Sequence, residues 1–454
     1  MAGSSPKTAR FAAIETLCRL QRSPMPVTIL FEQLAVECAL SGSDRHLAMN
    51  LIYGVLRQRQ HLDRIAGLFC RQPLKKLHPF VHQALAVGLY QLFFLDRIPA
   101  SAAVNETVKA MKVVRLPQRL QGFVNGVLRE SIRQRQDIPA PGAPDAAGRP
   151  VLNHPDWLTE RWERYFGRQE MLRICQVNNG QPALVLRLNR LAVVRDAFCA
   201  LLAEKGIAAS QGACAPDAVI LPDYHGPIRD LPGFAQGFFQ VQDESAQLAS
   251  LLLAPFSPRG RILDACAGLG GKTCHLLELT AETQTEMYAV EPEARRLLQL
   301  RENLERLHPQ SPVTIHAGSL QDFSATGPAP FDAILIDAPC SGTGVIRRRP
   351  DIRWNRQAAD LDAYQQTQRQ ILDQAALLLA PDGIIVYATC SLEPEENRMV
   401  ISHFLHRHPE FGLSDCGPLL PGPARDLVAD GCFQPRPSLS ADGFFAARLV
   451  RRLI

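Results

Sequence analysis

The residue pattern of this chain changes at one short segment, residues 136–150, which is rich in Pro, Gly and Ala. Before it, residues 1–135 place apolar side chains at helical spacing with almost no strand-like alternation, so they predict an all-α domain. After it, strands and helices alternate, as in a parallel sheet covered by helices. Because Pro- and Gly-rich stretches are typical of linkers, we expect residues 136–150 to join separately folded parts.

The predicted elements follow this division of the 454 residues, a length that suits two or three domains. Helices are expected over 7–21, 44–60, 82–95, 101–114 and 118–134, with Ser43 as the N-cap of the second. Residues 151–236 predict a small α/β subdomain with strands at 184–189 and 217–221 and a helix at 193–205. Residues 237–454 predict a doubly wound, Rossmann-like α/β domain.

Charge is distributed unevenly along the chain. Residues 1–135 hold 19 Lys and Arg against 8 Asp and Glu, a net charge of +11, whereas the whole chain carries +4. The remaining residues therefore carry −7. A basic module attached to a mildly acidic body is typical of a protein that binds nucleic acid. A basic surface without a partner stays an alternative from charge alone.

Composition excludes several classes of protein. With 46% hydrophobic and 21% charged residues, the chain has the composition of an ordinary soluble protein. Its longest apolar run, residues 84–95, is shorter than the roughly 20 residues of a membrane span, and the N-terminus has no apolar signal core. The 12 cysteines include no Cys-x-x-Cys pair, so neither a disulfide framework nor a zinc site is indicated. We expect a cytoplasmic protein without a metal, in which His403, His406 and His408 form a solvated helix face.

A glycine-rich segment predicts a nucleoside-binding site. Residues 264–273 read Asp-Ala-Cys-Ala-Gly-Leu-Gly-Gly-Lys-Thr and lie between a predicted strand at 261–263 and a predicted helix at 274–279. Glycines let the backbone approach a ligand closely, and a helix N-terminus favours negative groups. The next strand, 287–290, is followed by Glu291, at an offset from which a carboxylate can accept both ribose hydroxyls.

The identity of the nucleoside follows by elimination. A phosphate-binding loop ending at Gly271-Lys272-Thr273 requires Gly at the position of Cys266. A dinucleotide fingerprint starting at Gly268 requires Gly at the position of Thr273. Neither pattern fits, which leaves S-adenosyl-L-methionine as the common cofactor of this architecture that has no pyrophosphate.

Two cysteines follow two predicted strands. Cys340 comes after the strand 331–337, and Cys390 comes after the strand 383–387. Because the carboxyl ends of parallel strands meet at one edge, we expect both thiols at the same rim of the sheet. A single such Cys is typically a small buried apolar group, but two of them, each followed by Ser, favour a nucleophile paired with a proton-handling group.

These motifs resemble a known family. The segments 264–273, Asp337-Ala-Pro-Cys-Ser-Gly-Thr-Gly and Ala388-Thr-Cys-Ser, in that order, resemble the RNA (cytosine-carbon-5) methyltransferase family. Residues 239–247 and 442–445 are similar to its flanking elements, and residues 103–109 and 122–129 resemble a NusB-like RNA-binding domain. The resemblance implies an all-α NusB-like domain followed by a Rossmann-like methyltransferase domain. It implies that residues 151–236, between them, form an RNA-recognition subdomain. It also implies S-adenosyl-L-methionine as cofactor and 16S ribosomal RNA, before full subunit assembly, as the partner of a monomer.

The resemblance also implies roles for individual residues. Cys390 is expected to be the nucleophile and Cys340 to assist release, with Asp337 near the ring nitrogen and Lys272 holding the target nucleotide. The expected cofactor contacts are Cys266, Ala267, Gly268, Leu269, Gly270, Gly271, Lys272, Glu291, Ser319 and Asp337. Three positions depart from the family pattern: Leu269 replaces Pro, Glu291 replaces Asp, and Ser319 replaces an adenine-contacting Asp, for which Asp322 is an alternative.

A basic segment after the Cys340 motif is a candidate RNA contact. Arg347, Arg348, Arg349 and Arg353 lie close to Trp354, a combination that suits phosphate contacts and base stacking. Alternatively, these charges pair with Asp351 and Asp360, or Arg353 and Trp354 pack inside the protein. Two other functions stay open: methylation of tRNA, and a non-catalytic role in RNA binding or assembly.

Overall fold

The computed structural model describes residues 7–23, 25–145 and 147–452. Its contacts define two compact units. The first comprises Met1–Gly180 and Ile346–Arg356, and the second comprises Gln181–Val345 and Gln357–Ile454. Residues 151–180 are thus grouped with the N-terminal helices, while the division at 135, 150 and 236 stays a prediction.

The secondary structure is as follows. The helices are α1 (Ala9–Leu20), α2 (Val27–Glu37), α3 (Gly42–Arg57), α4 (Arg59–Phe69), α5 (Pro79–Phe94), α6 (Ala100–Val113), α7 (Gln118–Arg133), α8 (Asp156–Phe166), α9 (Arg168–Asn179), α10 (Arg195–Glu204), α11 (Glu244–Leu251), α12 (Gly271–Leu279), α13 (Ala294–Leu307), α14 (Leu320–Ala325), α15 (Ile352–Asn355), α16 (Asp360–Leu378), α17 (Arg398–Arg407) and α18 (Gly422–Arg425). The strands are β1 (Leu184–Leu188), β2 (Ser210–Gln211), β3 (Ala218–Leu221), β4 (Phe239–Val241), β5 (Arg261–Asp264), β6 (Glu286–Val290), β7 (Val313–His316), β8 (Phe331–Asp337), β9 (Leu379–Thr389), β10 (Phe411–Ser414), β11 (Val428–Ala429), β12 (Cys432–Phe433) and β13 (Phe445–Arg451).

Helices α1 to α7 of the first unit pack around one apolar core. The helix expected over 82–95 corresponds to α5, whose Leu85 and Leu89 are fully buried, and it packs beside α1, α3, α6 and α7. Ile14 and Ile52 complete the centre of this core. These helices stabilise each other by removing their apolar faces from water, at about 25 cal/mol per Å² of apolar surface.

Several helix boundaries in this unit differ from the prediction. The helix expected over 44–60 is interrupted at Gln58, so that α3 ends at Arg57 and α4 begins at Arg59. The N-cap of α3 is Ser41 rather than Ser43. Helices α2, α4, α8 and α9 were not predicted separately.

The second unit contains a small sheet and a large one. The small antiparallel sheet has the order β2-β3-β1-β4 and shares with α10 a core containing Phe198 and Phe239. The large sheet has the order β11-β12-β13-β9-β8-β5-β6-β7, with β10 paired to β13. Strands β5 to β9 are mutually parallel, and β13 runs antiparallel to β9.

The strand order reverses between β5 and β8, which creates the crevice where doubly wound proteins bind ligands. The carboxyl ends of β5, β6, β8 and β9 carry, in that order, the glycine-rich segment, Glu291, Asp337 and Thr389. An all-α unit followed by a Rossmann-like α/β fold confirms the predicted fold class. No helix in the described parts of the chain is both long enough and apolar enough to cross a membrane.

Candidate active site

The two predicted thiols lie together. Strands β8 and β9 pair in parallel with Asp337 opposite Ala388, so the residues that follow each strand leave the sheet side by side. The Cys340 and Cys390 sulfur atoms are 3.3 Å apart, within hydrogen-bonding distance of each other. The hydrogen bond with Cys390, followed by burial, raises the pKa of Cys340 well above its ordinary value. Cys340 therefore holds its proton at neutral pH and can donate it.

An ion pair between Lys272 and Asp337 lies at the carboxyl end of β8, the strand that leads to Cys340. The Lys272 ammonium, in the first turn of α12, is 2.6 Å from a carboxylate oxygen of Asp337 at the end of β8. The aromatic ring of Phe444 flanks this ammonium, with its centroid 5.5 Å from the nitrogen. The Asp337 side chain is 36% exposed and the Lys272 side chain 10%, so the carboxylate is the more accessible partner.

The glycine-rich segment forms a turn that only glycine fits well. Gly268 and Gly270 have φ angles of +56° and +83°, in the left-handed region. A side chain at Gly270 would also stand 2.5 Å from Leu300, whereas nothing lies within 4 Å of the corresponding point at Gly268. The segment therefore leaves an open space directly over its own backbone.

Glu291 stabilises the glycine-rich turn through two hydrogen bonds. One of its carboxylate oxygens accepts a hydrogen bond from the Gly268 amide at 2.9 Å, and the other accepts one from the Glu293 amide at 2.8 Å. Because each carboxylate oxygen can accept about two hydrogen bonds, both keep capacity for a further donor. The Glu291 residue is 3% exposed, which suits a contact with a bound ligand rather than with water.

Asp264 lies beneath the turn and was not predicted as a site residue. Its carboxylate accepts a hydrogen bond from the Thr273 hydroxyl at 2.7 Å, which ties the end of β5 to α12. Burial raises the pKa of Asp264 to about 6. Burial likewise raises the pKa of the Cys266 thiol, so Cys266 remains neutral in the wall of the turn.

Ser319 and Asp322 form a capping box at the start of α14. The Ser319 hydroxyl lies 3.1 Å from the Asp322 amide and 2.6 Å from the Asp322 carboxylate, which also accepts from the Ser319 amide. These hydrogen bonds lower the pKa of Asp322. Since the two side chains bind each other, neither alternative for the adenine contact is favoured by this geometry.

The basic segment after Cys340 requires a correction. Arg353 is fully buried, and its guanidinium donates to the carbonyl oxygens of Asn153 at 2.9 Å and Asn178 at 2.7 Å. The indole N–H of Trp354 donates to the Leu56 carbonyl at 2.7 Å. Arg347 is 3% exposed.

The predicted RNA contacts through Arg347 and Arg353 are therefore wrong for the folded protein. The Asn178 carbonyl lies in the last turn of α9, where backbone oxygens lack partners within the helix. Residues 346–356 belong to the first unit. Arg353 and Trp354 pack inside this unit, which was the alternative to RNA contacts. Arg348 is half-buried and Arg349 is exposed, so these two stay candidates.

The C-terminal motif 442–445 supports the Cys340 loop through its backbone. The Gly443 amide donates to the Gly344 carbonyl at 2.9 Å, and the Gly344 amide donates to the Cys390 carbonyl at 2.9 Å. A side chain added at Gly344 would come within 2.2 Å of the Gly443 carbonyl oxygen. The two glycines thus allow three loops to meet closely. Over residues 7–23, 25–145 and 147–452, no cluster of three or more His, Cys, Asp or Glu could hold a metal ion.

Comparison with family models divides the chain into three matched parts. Residues 250–450 match the family described as 16S rRNA methyltransferase RsmB/F. Residues 7–133 match the NusB family, and residues 154–226 match the ferredoxin-like domain of RsmF/B-like methyltransferases.

Individual relatives match over most of the chain. The chain is 40% identical to the ribosomal RNA small subunit methyltransferase B of Pseudomonas putida, over 90% of this chain and 91% of that protein. It is 41% identical to the protein of the same name from Vibrio cholerae, over 86% and 87%. A crystal structure titled PH0851 has the same fold, with a TM-score of 0.77 over 98% of both chains and 24% sequence identity.

Proposed function

Because the chain belongs to the 16S rRNA methyltransferase RsmB/F family, we propose that it methylates carbon 5 of a cytosine in 16S ribosomal RNA. The reaction uses S-adenosyl-L-methionine and passes through a covalent adduct between Cys390 and the RNA. The observation that supports this most is the 3.3 Å separation of the Cys340 and Cys390 sulfur atoms at the carboxyl ends of β8 and β9. One thiol alone would suffice for a structural role or for a simple nucleophile.

The chemistry of the base explains why two thiols are useful. Carbon 5 of cytosine is a poor nucleophile because the ring is electron-poor. Addition of a thiolate to carbon 6 converts the ring to an enamine, whose carbon 5 can accept an electrophilic methyl group. The adduct must then lose the proton at carbon 5 and expel the thiolate, which restores the aromatic ring. Attack and elimination thus need one nucleophile and one proton-handling group.

The residues at the strand ends suit these roles. Cys390 attacks carbon 6 as the nucleophile. Cys340, whose pKa is raised, gives its proton to the departing Cys390 sulfur and takes up the proton that carbon 5 loses. The Asp337 carboxylate lies on the accessible side of its pair with Lys272 and can hold the ring nitrogen and the exocyclic amine. Lys272 holds the Asp337 side chain in place at 2.6 Å and lies close to the target nucleotide. A base must be unstacked for such contacts, so the substrate is a flipped or single-stranded cytosine.

The glycine-rich turn fits the nucleoside part of the cofactor. Gly268 leaves open space over its backbone, and Glu291 has acceptor capacity for the two ribose hydroxyls. The wall of this site is formed by Cys266, Ala267, Leu269, Gly270, Gly271 and Lys272, with Asp337 at its open side and Ser319 or Asp322 near the adenine. When bound, S-adenosyl-L-methionine supplies the electrophilic methyl group.

Replacing Glu291 should weaken cofactor binding. In Glu291→Ala, the ribose hydroxyls lose a charged acceptor, which costs about 1.5–3 kcal/mol, and cofactor affinity should fall roughly 10- to 100-fold. Calorimetric titration of the purified variant with S-adenosyl-L-methionine measures this loss. Glu293→Ala, which removes the exposed carboxylate two residues later, is the matched control. Unchanged cofactor affinity in Glu291→Ala would show that a different residue binds the ribose.

RNA binding is assigned to the basic residues 1–135, assisted by Arg348 and Arg349. Arg115 and Arg119 are exposed near the junction of α6 and α7. If they contact phosphates, replacing both with Gln should make RNA affinity less dependent on salt. The magnitude of the negative slope of log affinity against log salt should fall by about 0.7–0.9 for each contact that is lost. The control replaces Arg295 and Arg301, which are exposed on α13. Equal slopes for both double variants would contradict a phosphate contact at Arg115 and Arg119.

The proposed function is tested by identifying the product. Purified protein is incubated with methyl-labelled cofactor and either unmodified 16S ribosomal RNA or tRNA, and the RNA is digested to nucleosides. We expect the label in 5-methylcytidine from 16S ribosomal RNA. Label in another nucleoside, or only in tRNA, would contradict the proposed substrate or position.

A further inference from the structure

A buried carboxylate connects the two cysteine loops. Each cysteine is followed by a serine, Ser341 after Cys340 and Ser391 after Cys390. Both serine hydroxyls donate to the same carboxylate oxygen of Glu396, at 2.5 Å each, and they lie 3.2 Å from one another. The residues next to the two thiols therefore share a single acceptor atom.

The other carboxylate oxygen of Glu396 is also occupied. It accepts hydrogen bonds from the Ser341 amide at 2.8 Å and from the Gln368 side chain at 3.0 Å. Gln368 also donates to the carbonyl of Pro339, the residue before Cys340. Four donors thus match the roughly four lone-pair positions of an ionised carboxylate.

Glu396 is itself held firmly in place. The residue is fully buried, and its backbone carbonyl accepts a hydrogen bond from the Tyr387 hydroxyl at 2.6 Å. Taking a carboxylate out of water is costly unless every acceptor is used. The donors to its carboxylate come from the two cysteine loops and from Gln368, so Glu396 links the two loops to each other.

We propose that Glu396 is a positioning residue that sets the separation of the Cys340 and Cys390 sulfur atoms. By binding Ser341 and Ser391 at one point, it fixes the backbone on the carboxyl side of both cysteines. The sulfur atoms are then held 3.3 Å apart before any substrate arrives. The consequence for methyl transfer rests on the proposed function, whereas the geometric effect does not.

The geometric effect can be measured without RNA or cofactor. Diamide takes two electrons and two protons from a pair of thiols, so that an S–S bond forms and its N=N bond is reduced to a hydrazine. We expect the Cys340–Cys390 disulfide, quantified by peptide mapping, to form at least tenfold more slowly in Glu396→Ala than in the unaltered protein. Glu396→Gln keeps hydrogen-bonding groups at both positions and should restore the rate to within about threefold.

The control is Glu244→Ala. Glu244 is another fully buried carboxylate, and it accepts hydrogen bonds from the amides of Ala213, Cys214 and Ala215. Its loss should lower stability but leave the rate of disulfide formation unchanged. If Glu396→Ala does not fold, the double variant Ser341→Ala/Ser391→Ala removes the two shared hydroxyls and should slow the disulfide in the same way.

Turnover provides the second measurement. With misplacement of reacting groups by about 1 Å, kcat for RNA methylation should fall on the order of 100-fold in Glu396→Ala, with the KM for cofactor unchanged. Disulfide formation at the unaltered rate in Glu396→Ala, or equal slowing in Glu244→Ala, would overturn the positioning role. If the disulfide slows as expected but the unaltered protein forms no 5-methylcytidine, the proposed function fails while the positioning role stands.

Discussion

Cys390→Ala should abolish methyl transfer to RNA, with a loss of kcat on the order of 10⁴-fold or more, because the covalent step that activates carbon 5 is removed. Binding of S-adenosyl-L-methionine should be retained, since the glycine-rich turn and Glu291 lie at the ends of other strands. Single-turnover methylation and calorimetric titration of the same preparation measure the two properties.

The control for this variant is Cys199→Ala. Cys199 lies on α10, and its replacement removes one thiol from the same unit without touching the strand ends. It should methylate RNA at the unaltered rate. Substantial turnover by Cys390→Ala would show that the nucleophile is another group, with Cys340 the first alternative because it is 3.3 Å away.

Cys340→Ala should have the opposite effect on the covalent intermediate. Attack by Cys390 and methyl transfer remain possible, but the proton donor beside the departing sulfur is lost. A protein–RNA adduct that survives denaturation should therefore accumulate to a large fraction of the enzyme, visible as a slower band on a denaturing gel. In the Cys340→Ala/Cys390→Ala double variant, the adduct should be absent.

The variants Cys390→Ala and Cys340→Ala distinguish the roles of the two thiols. If an adduct accumulated in Cys390→Ala and not in Cys340→Ala, Cys340 would be the nucleophile and Cys390 would assist release. An adduct in neither variant, together with normal product from Cys340→Ala, would mean that elimination is assisted by a different group. Asp337 is then the next candidate, because it ends the same strand that leads to Cys340.

The sequence was sufficient to predict the placement of the main groups. Cys340, Cys390, Glu291 and the glycine-rich segment each follow a strand of the parallel sheet, and strand periodicity is a local property. The rule that parallel strands bring their carboxyl ends together then predicts one site. The fold class and the family are confirmed, whereas the roles of the individual residues stay predictions.

The parts that were missed depend on contacts between residues far apart in sequence. Glu396 lies 55 residues from Ser341, and nothing in its local sequence shows that it binds both cysteine loops. Arg353 was expected to be an RNA contact because an Arg in a basic run usually faces solvent, yet it is fully buried. Its carbonyl partners, Asn153 and Asn178, are about 200 and 175 residues away.

The proposed mechanism requires a covalent bond between Cys390 and carbon 6 of the target cytosine. It is tested most directly with 16S ribosomal RNA in which 5-fluorocytidine replaces cytidine, because the fluorine at carbon 5 cannot leave as a proton does and the adduct is trapped. After incubation with S-adenosyl-L-methionine and digestion of protein and RNA, mass spectrometry identifies the modified peptide. We expect a methylated fluorocytosine nucleotide attached to Cys390. Attachment to Cys340, or the absence of any covalent adduct under conditions where ordinary 16S ribosomal RNA is methylated, would contradict the mechanism.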